Sequence, residues 1–220
     1  MDILGFKNYT RREVIVHIIM YGLGVVLLPA GIVLTINSHF GAGGLDALNF
    51  AFGEFVHIPT SVAIFITGAI YMCIAAIIRK KPPRPLTFMA SIFQGIFTDV
   101  WKIIFADVES TGIVSAVLLF LVGNVIIAAM AAPYFISCLP TNPADDMTLS
   151  LTERRIRISF AKIGVECCAA FLAFLLHGEV SVGTVLVILL LGPMIDFFQI
   201  LTKKILDKIN VRYGETRQNS

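Results

Sequence analysis

Six stretches of mainly apolar residues follow one another along the chain, at 14–37, 60–78, 86–105, 112–137, 158–176 and 181–202. Each is close to or above the roughly 20 residues that a helix needs to cross a hydrocarbon core of about 30 Å. Inside lipid every backbone N–H and C=O must be satisfied by the chain itself, so a continuous apolar run of this length is read as a helix. The rest of the composition agrees, with 57% hydrophobic residues and only 15% charged, where a soluble domain carries about 25% charged. The first run exceeds the roughly 7–15 residue apolar core of a signal peptide and no small-residue cleavage site follows it, so it is expected to stay in the protein.

Fifteen of the 17 basic residues, all but Lys102 and Lys162, fall into four groups: Lys7, Arg11 and Arg12 before the first run; Arg79, Lys80, Lys81 and Arg84 between the second and third; Arg154, Arg155 and Arg157 before the fifth; Lys203, Lys204, Lys208, Arg212 and Arg217 after the sixth. In a six-span chain all four lie on one side, and the connections 38–59, 106–111 and 177–180 hold no Lys or Arg. Lys and Arg accumulate on the cytoplasmic side, which puts both termini in the cytoplasm. Cys73, Cys167 and Cys168 fall inside runs and Cys138 at a cytoplasmic helix end. Thiols stay reduced there, so the expectation is small packing residues and no disulfide.

Sliding the chain against itself by a little under 100 residues exposes an internal repeat. Gly95-Ile96-Phe97-Thr98-Asp99 matches Gly192-Pro193-Met194-Ile195-Asp196, Asp46 matches Asp145, and Ser61-Val62-Ala63 matches Ser159-Phe160-Ala161. Three spans per half is an odd number, so the halves at 14–105 and 112–202 must have opposite orientations, between a cytoplasmic segment 1–13 and a basic tail 203–220. Inverted repeats characterise secondary transporters, whose sites lie at the repeat interface near the midplane. Between the first and second spans of each half lies a segment too short to cross, 45–55 and 143–151. Asn142, Pro143 and the acids Asp145 and Asp146 form a helix-start signature: a capping Asn, Pro at the first position and negative charge in the first turn. The fold expected is therefore an all-α membrane protein of six transmembrane helices, arranged as two inverted three-helix repeats, each with a short extra helix.

These features together, namely the six spans, the glycine-rich loop with Asp46, the Asn142-Pro143-Ala144-Asp145 segment, Glu166 after a basic stretch and the Gly192-Pro193 turn, resemble the YczE/YyaS/YitT group of bacterial membrane proteins. The resemblance runs from about Gly22 to Gln199. It implies this fold and a bacterial inner-membrane location, and it implies no substrate. Gly44 and Leu45 stand where the group commonly has a Pro and an aromatic.

Ionisable residues within a span cost at least about 2.5–3.5 kcal/mol each at the helix centre, so their first reading is functional. Asp99, Lys162, Glu166 and Asp196 stand out. At 1.5 Å per residue Glu166 lies roughly 12 Å inside the membrane, and Lys162, four residues earlier, shares its helix face and can pair with it. Asp46, Asn142 and Asp145 in the short segments complete the candidate set for a solute or a proton, and acids outnumbering bases favour a proton, a cation or a neutral polar solute over an anion. A structural ion pair between Lys162 and Glu166 and helix capping by Asp99 and Asp196 are the competing readings. His39, His57 and His177 fall on the outer side at spacings that match no metal motif, and His17 is read as a packing or interfacial residue. Asn124 and Gln94 are expected to hydrogen-bond between helices. No Walker A, nucleophile elbow or His-Glu-x-x-His occurs, so ATP hydrolysis and hydrolase chemistry have no support; no cofactor, metal or nucleic acid is expected, and an intramembrane enzyme, which would need a catalytic set on facing helices, is a second rival. The sequence points to a secondary transporter for a small polar or cationic solute, with a substrate-binding or accessory subunit of another membrane protein as the alternative. A homodimer is compatible with it, although no residue demands one.

Overall fold

The computed structural model describes residues 9–137, 139–152, 154, 156, 158–178 and 180–213. Lys7, Cys138, Arg155, Arg157 and Arg217 lie outside the described residues, and so does the side chain of Ser159. Among the described residues there are eight helices and no strand: α1 (Arg11–Asn37), α2 (Gly44–Val56), α3 (Thr60–Arg79), α4 (Pro85–Ile104), α5 (Ile113–Ile136), α6 (Pro143–Thr152), α7 (Ile158–Leu175) and α8 (Val182–Lys208).

Four of them, α1, α3, α5 and α8, are long and apolar enough to cross a membrane. The 20 residues of α4 include Gln94, Asp99 and Lys102, and the 18 of α7 include Lys162 and Glu166. The chain is thus a helical membrane protein whose remaining helices are shorter or more polar.

The ends of the helices follow from local chemistry. α1 starts three residues before the apolar run because Thr10 and Glu13 cap it reciprocally, the Thr10 N–H donating to Glu13 at 2.6 Å. α6 starts where Asn142 accepts the Asp145 N–H at 2.9 Å. α8 outruns its apolar stretch and ends at Lys208, with Leu206 buried against Met20, Ile136 and Val211.

α1 is the central helix. More than half of its apolar window (56%) is buried, against 17–28% for the other three long helices, whose exposed Ile, Leu, Val and Phe side chains face where lipid would be. It packs along α5 more extensively than any other pair of helices touches. The two backbones meet at Gly31 and Gly123: a side-chain carbon on Gly31 would lie 2.7 Å from the Gly123 carbonyl oxygen, and one on Gly123 2.8 Å from that of Gly31. Only residues without a Cβ permit that approach.

The short helices pack across the molecule. α2 lies on α7 through Ala47, Leu48, Ala51, Ala169 and Ala173, and α6 lies on α3, with Met147 against Ala75. α4 runs along α1, and α8 along α5. The buried face of α7 is filled by Ala161, Val165, Ala169, Ala170 and Ala173, so Cys167 and Cys168 point outward, as does Cys73 of α3, and all three are free. This corrects their reading as packing residues, because smaller alanines occupy the inward positions that helical spacing leaves on α7.

Candidate functional site

α2 and α6 both begin at one cavity of about 100 Å³. It is large enough for several waters, since one water needs at least roughly 10–15 Å³ by the same measure. Four charged side chains line it: Asp46 from the first turn of α2, Asp145 from the first turn of α6, and Lys162 and Glu166 from successive turns of α7. Asn142, the cap of α6, is on the same wall, and its side-chain amide reaches Gln94 of α4 at 3.4 Å.

Each charge has a distinct setting. Lys162 Nζ lies 3.6 Å from Asp145 Oδ1 and 5.6 Å from the centre of the Phe135 ring. The anticipated direct pair of Lys162 with Glu166 is not formed. Glu166 instead accepts the Leu45 N–H at 3.2 Å, at the N-terminus of α2, where unpaired N–H groups and the helix dipole favour negative charge. That contact depends on the glycine before it, because a side chain on Gly44 would overlap the Glu166 carbonyl oxygen. Asp46 makes no hydrogen bond or ion pair with any described residue. The position of a side-chain carbon on Gly43 would be 3.2 Å from Asp46 Oδ2 and 3.8 Å from Glu166 Oε2, so the two carboxylates flank one point.

Neutral polar groups complete the wall. Thr67 donates to Asn49 Oδ1 at 2.6 Å, Ser91 and Thr98 come from α4, and the Tyr71 hydroxyl is buried with no hydrogen-bond partner among the described residues. Sequence reasoning did not single out Asn49, Thr67 or Tyr71. Single polar residues in apolar helices are common, and only their convergence on one cavity marks these.

Asp99 and Asp196 do not line the cavity. Asp99 accepts the Ser61 N–H at 3.3 Å to each carboxylate oxygen, capping α3. Asp196 is exposed on α8 and has no partner among the described residues. Asn124 bonds the Phe120 carbonyl of its own helix at 2.8 Å rather than another helix. His17 is fully buried, with Nε2 2.9 Å from the Arg212 carbonyl oxygen. His39, His57 and His177 each adopt positive φ near helix ends.

A second buried charged group was missed. Arg79, at the end of α3, forms two hydrogen bonds to the Asp146 carboxylate, at 2.6 and 2.8 Å, and a third to the Asp146 carbonyl at 2.8 Å. Both side chains are almost fully enclosed, at 3% and 5% exposure. One signal was available: Asp145 and Asp146, adjacent on a helix, must point in directions about 100° apart, so one acid facing the cavity turns the other away from it.

Residues 15–200 match a family of unknown function, DUF6198. The chain belongs to that family. It is similar to the uncharacterized protein YyaS of Bacillus subtilis (strain 168), at 27% identity over 84% of this chain and 92% of the relative. It is also similar to the uncharacterized membrane protein YczE of the same organism, at 22% identity over 85% and 87%. These two relatives bear out the resemblance drawn from the glycine-rich loop, the Asn142 segment and Glu166. No solved structure matches the chain.

Proposed function

We propose that this DUF6198 chain is a small secondary transporter that spans a bacterial cell membrane six times, as two inverted three-helix repeats, and carries a small polar or cationic solute by alternating access. The repeats are 14–105 and 112–202, the basic side is cytoplasmic, and both termini lie there. No catalytic step is part of the proposal.

The observation that carries it is the convergence of both short helices on one charged cavity. Asp46 comes from one repeat, Asn142 and Asp145 come from the other, and Glu166 of the second repeat is bound by the N-terminus of α2 from the first. Secondary transporters place their sites at such a junction, with helix ends pointing at the solute.

The packing supports a two-fold relation. Exchanging α1–α4 for α5–α8 turns the pair α2·α7 into α6·α3 and α1·α4 into α5·α8, and returns α1·α5 to itself, and all of these pairs are in contact. Single residues follow the same rule. A side chain on Gly24 would meet Tyr134 Cβ at 2.6 Å and one on Gly123 would meet Thr35 Cγ2 at 2.7 Å. The shift in residue number that takes Gly24 to Gly123 also takes Thr35 to Tyr134 and Asp46 to Asp145.

Charge narrows the solute. Three carboxylates and one ammonium line the cavity, and the two helix N-termini contribute about half a positive charge each. With the acids ionised the site is left with about one net negative charge, which suits a monovalent cation, or a neutral solute accompanied by a proton.

The test is the purified chain in liposomes, after a thermal-shift screen of amines, amino acids, nucleobases and metal ions, since a ligand that binds the folded state raises its stability by mass action. Uptake of a stabilising solute without any partner protein is the expected result. Binding without uptake would assign the chain instead to an accessory subunit, and neither would remove the proposal.

A further inference from the structure

The two repeats differ most in the contact between their last two helices. In the first repeat α4 packs along α3. Gly95 sits on Ser61, where an added side-chain carbon would lie 3.0 Å from Ser61 Cα. One turn later Asp99 takes the Ser61 N–H with both oxygens at 3.3 Å, and Lys102 Nζ reaches Thr60 Oγ1 at 3.0 Å. The last turns of α4 clasp the first turn of α3.

In the second repeat Gly192 and Asp196 stand where the first has Gly95 and Asp99, with Gln199 in place of Lys102, and they make no such clasp among the described residues. α8 touches α7 only lightly and lies on α5 through Leu191, Met194 and Ile195. Nothing is within 4 Å of where a side chain on Gly192 would begin. Asp196, one turn further on, is exposed and without a partner among the described residues. An aspartate left alone on a membrane helix is costly, and the first repeat displays the partner that would relieve it, the N–H groups of a helix start.

The seam between α7 and α8 leads to the cavity. Lys162 and Glu166 of α7 and Leu191 and Ile195 of α8 line it together, and Lys162 is still 33% exposed although it is paired with Asp145. Arg154, just before α7, bonds the Ile78 carbonyl at the end of α3, and Lys203 and Lys204 lie in the last turns of α8, whereas the Asp99 clasp is at Ser61, the opposite end of α3.

We propose that Asp196 is the cytoplasmic counterpart of Asp99, and that the structure is the inward-open member of a pair of states. In the other state α8 moves onto α7, Gly192 packs against the start of α7, and Asp196 accepts N–H groups of its first turn while Asp99 releases Ser61. This rests on the transporter reading, adds to it the two gates, and assigns each a carboxylate. Each clasp is made in one state only, which is what lets it bias the equilibrium.

The test uses the full chain in liposomes, with Cys73, Cys138, Cys167 and Cys168 replaced by Ala and Ser91→Cys as a reporter in the cavity wall. A membrane-impermeant maleimide is added from either side. The reporter is expected to react faster from the cytoplasmic side and measurably from the outside. Gly192→Leu fills a space that is open in this state but closed in the other, so it should fold normally, keep cytoplasmic labelling and lower outside labelling by about tenfold, as expected for a shift of roughly 1.4 kcal/mol in a two-state population. Asp196→Asn should act in the same direction and Asp99→Asn in the opposite one. Unchanged labelling in both Gly192→Leu and Asp196→Asn would overturn the gate assignment while leaving transport standing. A reporter that reacts from neither side, or from one side only, in the parent chain would overturn alternating access and the gates with it.

Discussion

Arg79 and Asp146 are joined by two parallel hydrogen bonds of 2.6 and 2.8 Å inside the protein, tying the end of α3 to the start of α6. Arg84 adds a longer contact to the same carboxylate, 3.2 Å, from a half-exposed position. The pair holds a short helix of one half against a long helix of the other, so its strength bears on the whole assembly.

Removing one partner should therefore be severe. Arg79→Met leaves a carboxylate buried without its main counter-charge, and breaking such a pair typically loses about 3–5 kcal/mol. Arg79→Lys should not rescue it, because an ammonium cannot make the two parallel bonds. The double change Arg79→Met with Asp146→Leu should recover most of the loss. Thermal unfolding of the detergent-solubilised variants measures all three.

At the cavity, Glu166→Gln keeps the side-chain shape and can still accept the Leu45 N–H. It should leave the melting temperature near that of the parent and abolish the stabilisation given by a solute in the thermal-shift screen. A loss of stability as large as that of Arg79→Met, with the solute response intact, would make Glu166 a structural residue.

Lys162 and Asp145 should behave as a coupled pair. Lys162→Met and Asp145→Asn are each expected to destabilise, and the double change by less than the sum of the two, with a coupling of about 0.5–3 kcal/mol. Lys162→Met with Glu166→Gln should be closer to additive, because no direct ion pair joins them. The reverse ranking in a double-mutant cycle would show that the two acids have exchanged roles.

The α1–α5 crossing offers a packing test within one helix. At Gly31 an added Cβ would stand 2.7 Å from the Gly123 carbonyl oxygen and 2.9 Å from the Ile127 nitrogen, both backbone atoms. Gly31→Ala should lose about 1–3 kcal/mol or more through overpacking. Gly22→Ala, with nothing within 4 Å, should gain a fraction of a kcal/mol from helix propensity, up to about 1 kcal/mol.

Topology is checked by placing single cysteines at Arg84 and Glu109 in otherwise cysteine-free chains in intact cells. The impermeant maleimide should modify Glu109→Cys and spare Arg84→Cys. The opposite pattern would place the basic clusters outside and would remove the inverted-repeat assignment together with the direction of the gates.

Much of this protein is determined locally. Hydrophobic runs of about 20 residues require helices in a membrane, the clustering of Lys and Arg distinguishes the two ends, and the Asn142-Pro143 start of α6 is set by capping chemistry within one turn. Asp46, Asn142, Asp145, Lys162 and Glu166 could be singled out because polar groups in apolar surroundings need a reason. What could not be read was who meets whom. Helical spacing made Lys162 and Glu166 neighbours, since it ranks only contacts along a single helix, yet Lys162 faces Asp145 and Glu166 faces the start of α2. Those partners are supplied by helices packed across the molecule, α2 on α7 and α6 on α3, around an α1–α5 crossing that two glycines permit. The same long-range packing leaves Asp99 clasped and Asp196 without a partner among the described residues, although each follows a glycine by four positions, because a carboxylate's partner depends on which helix lies beside it and not on the residues that flank it.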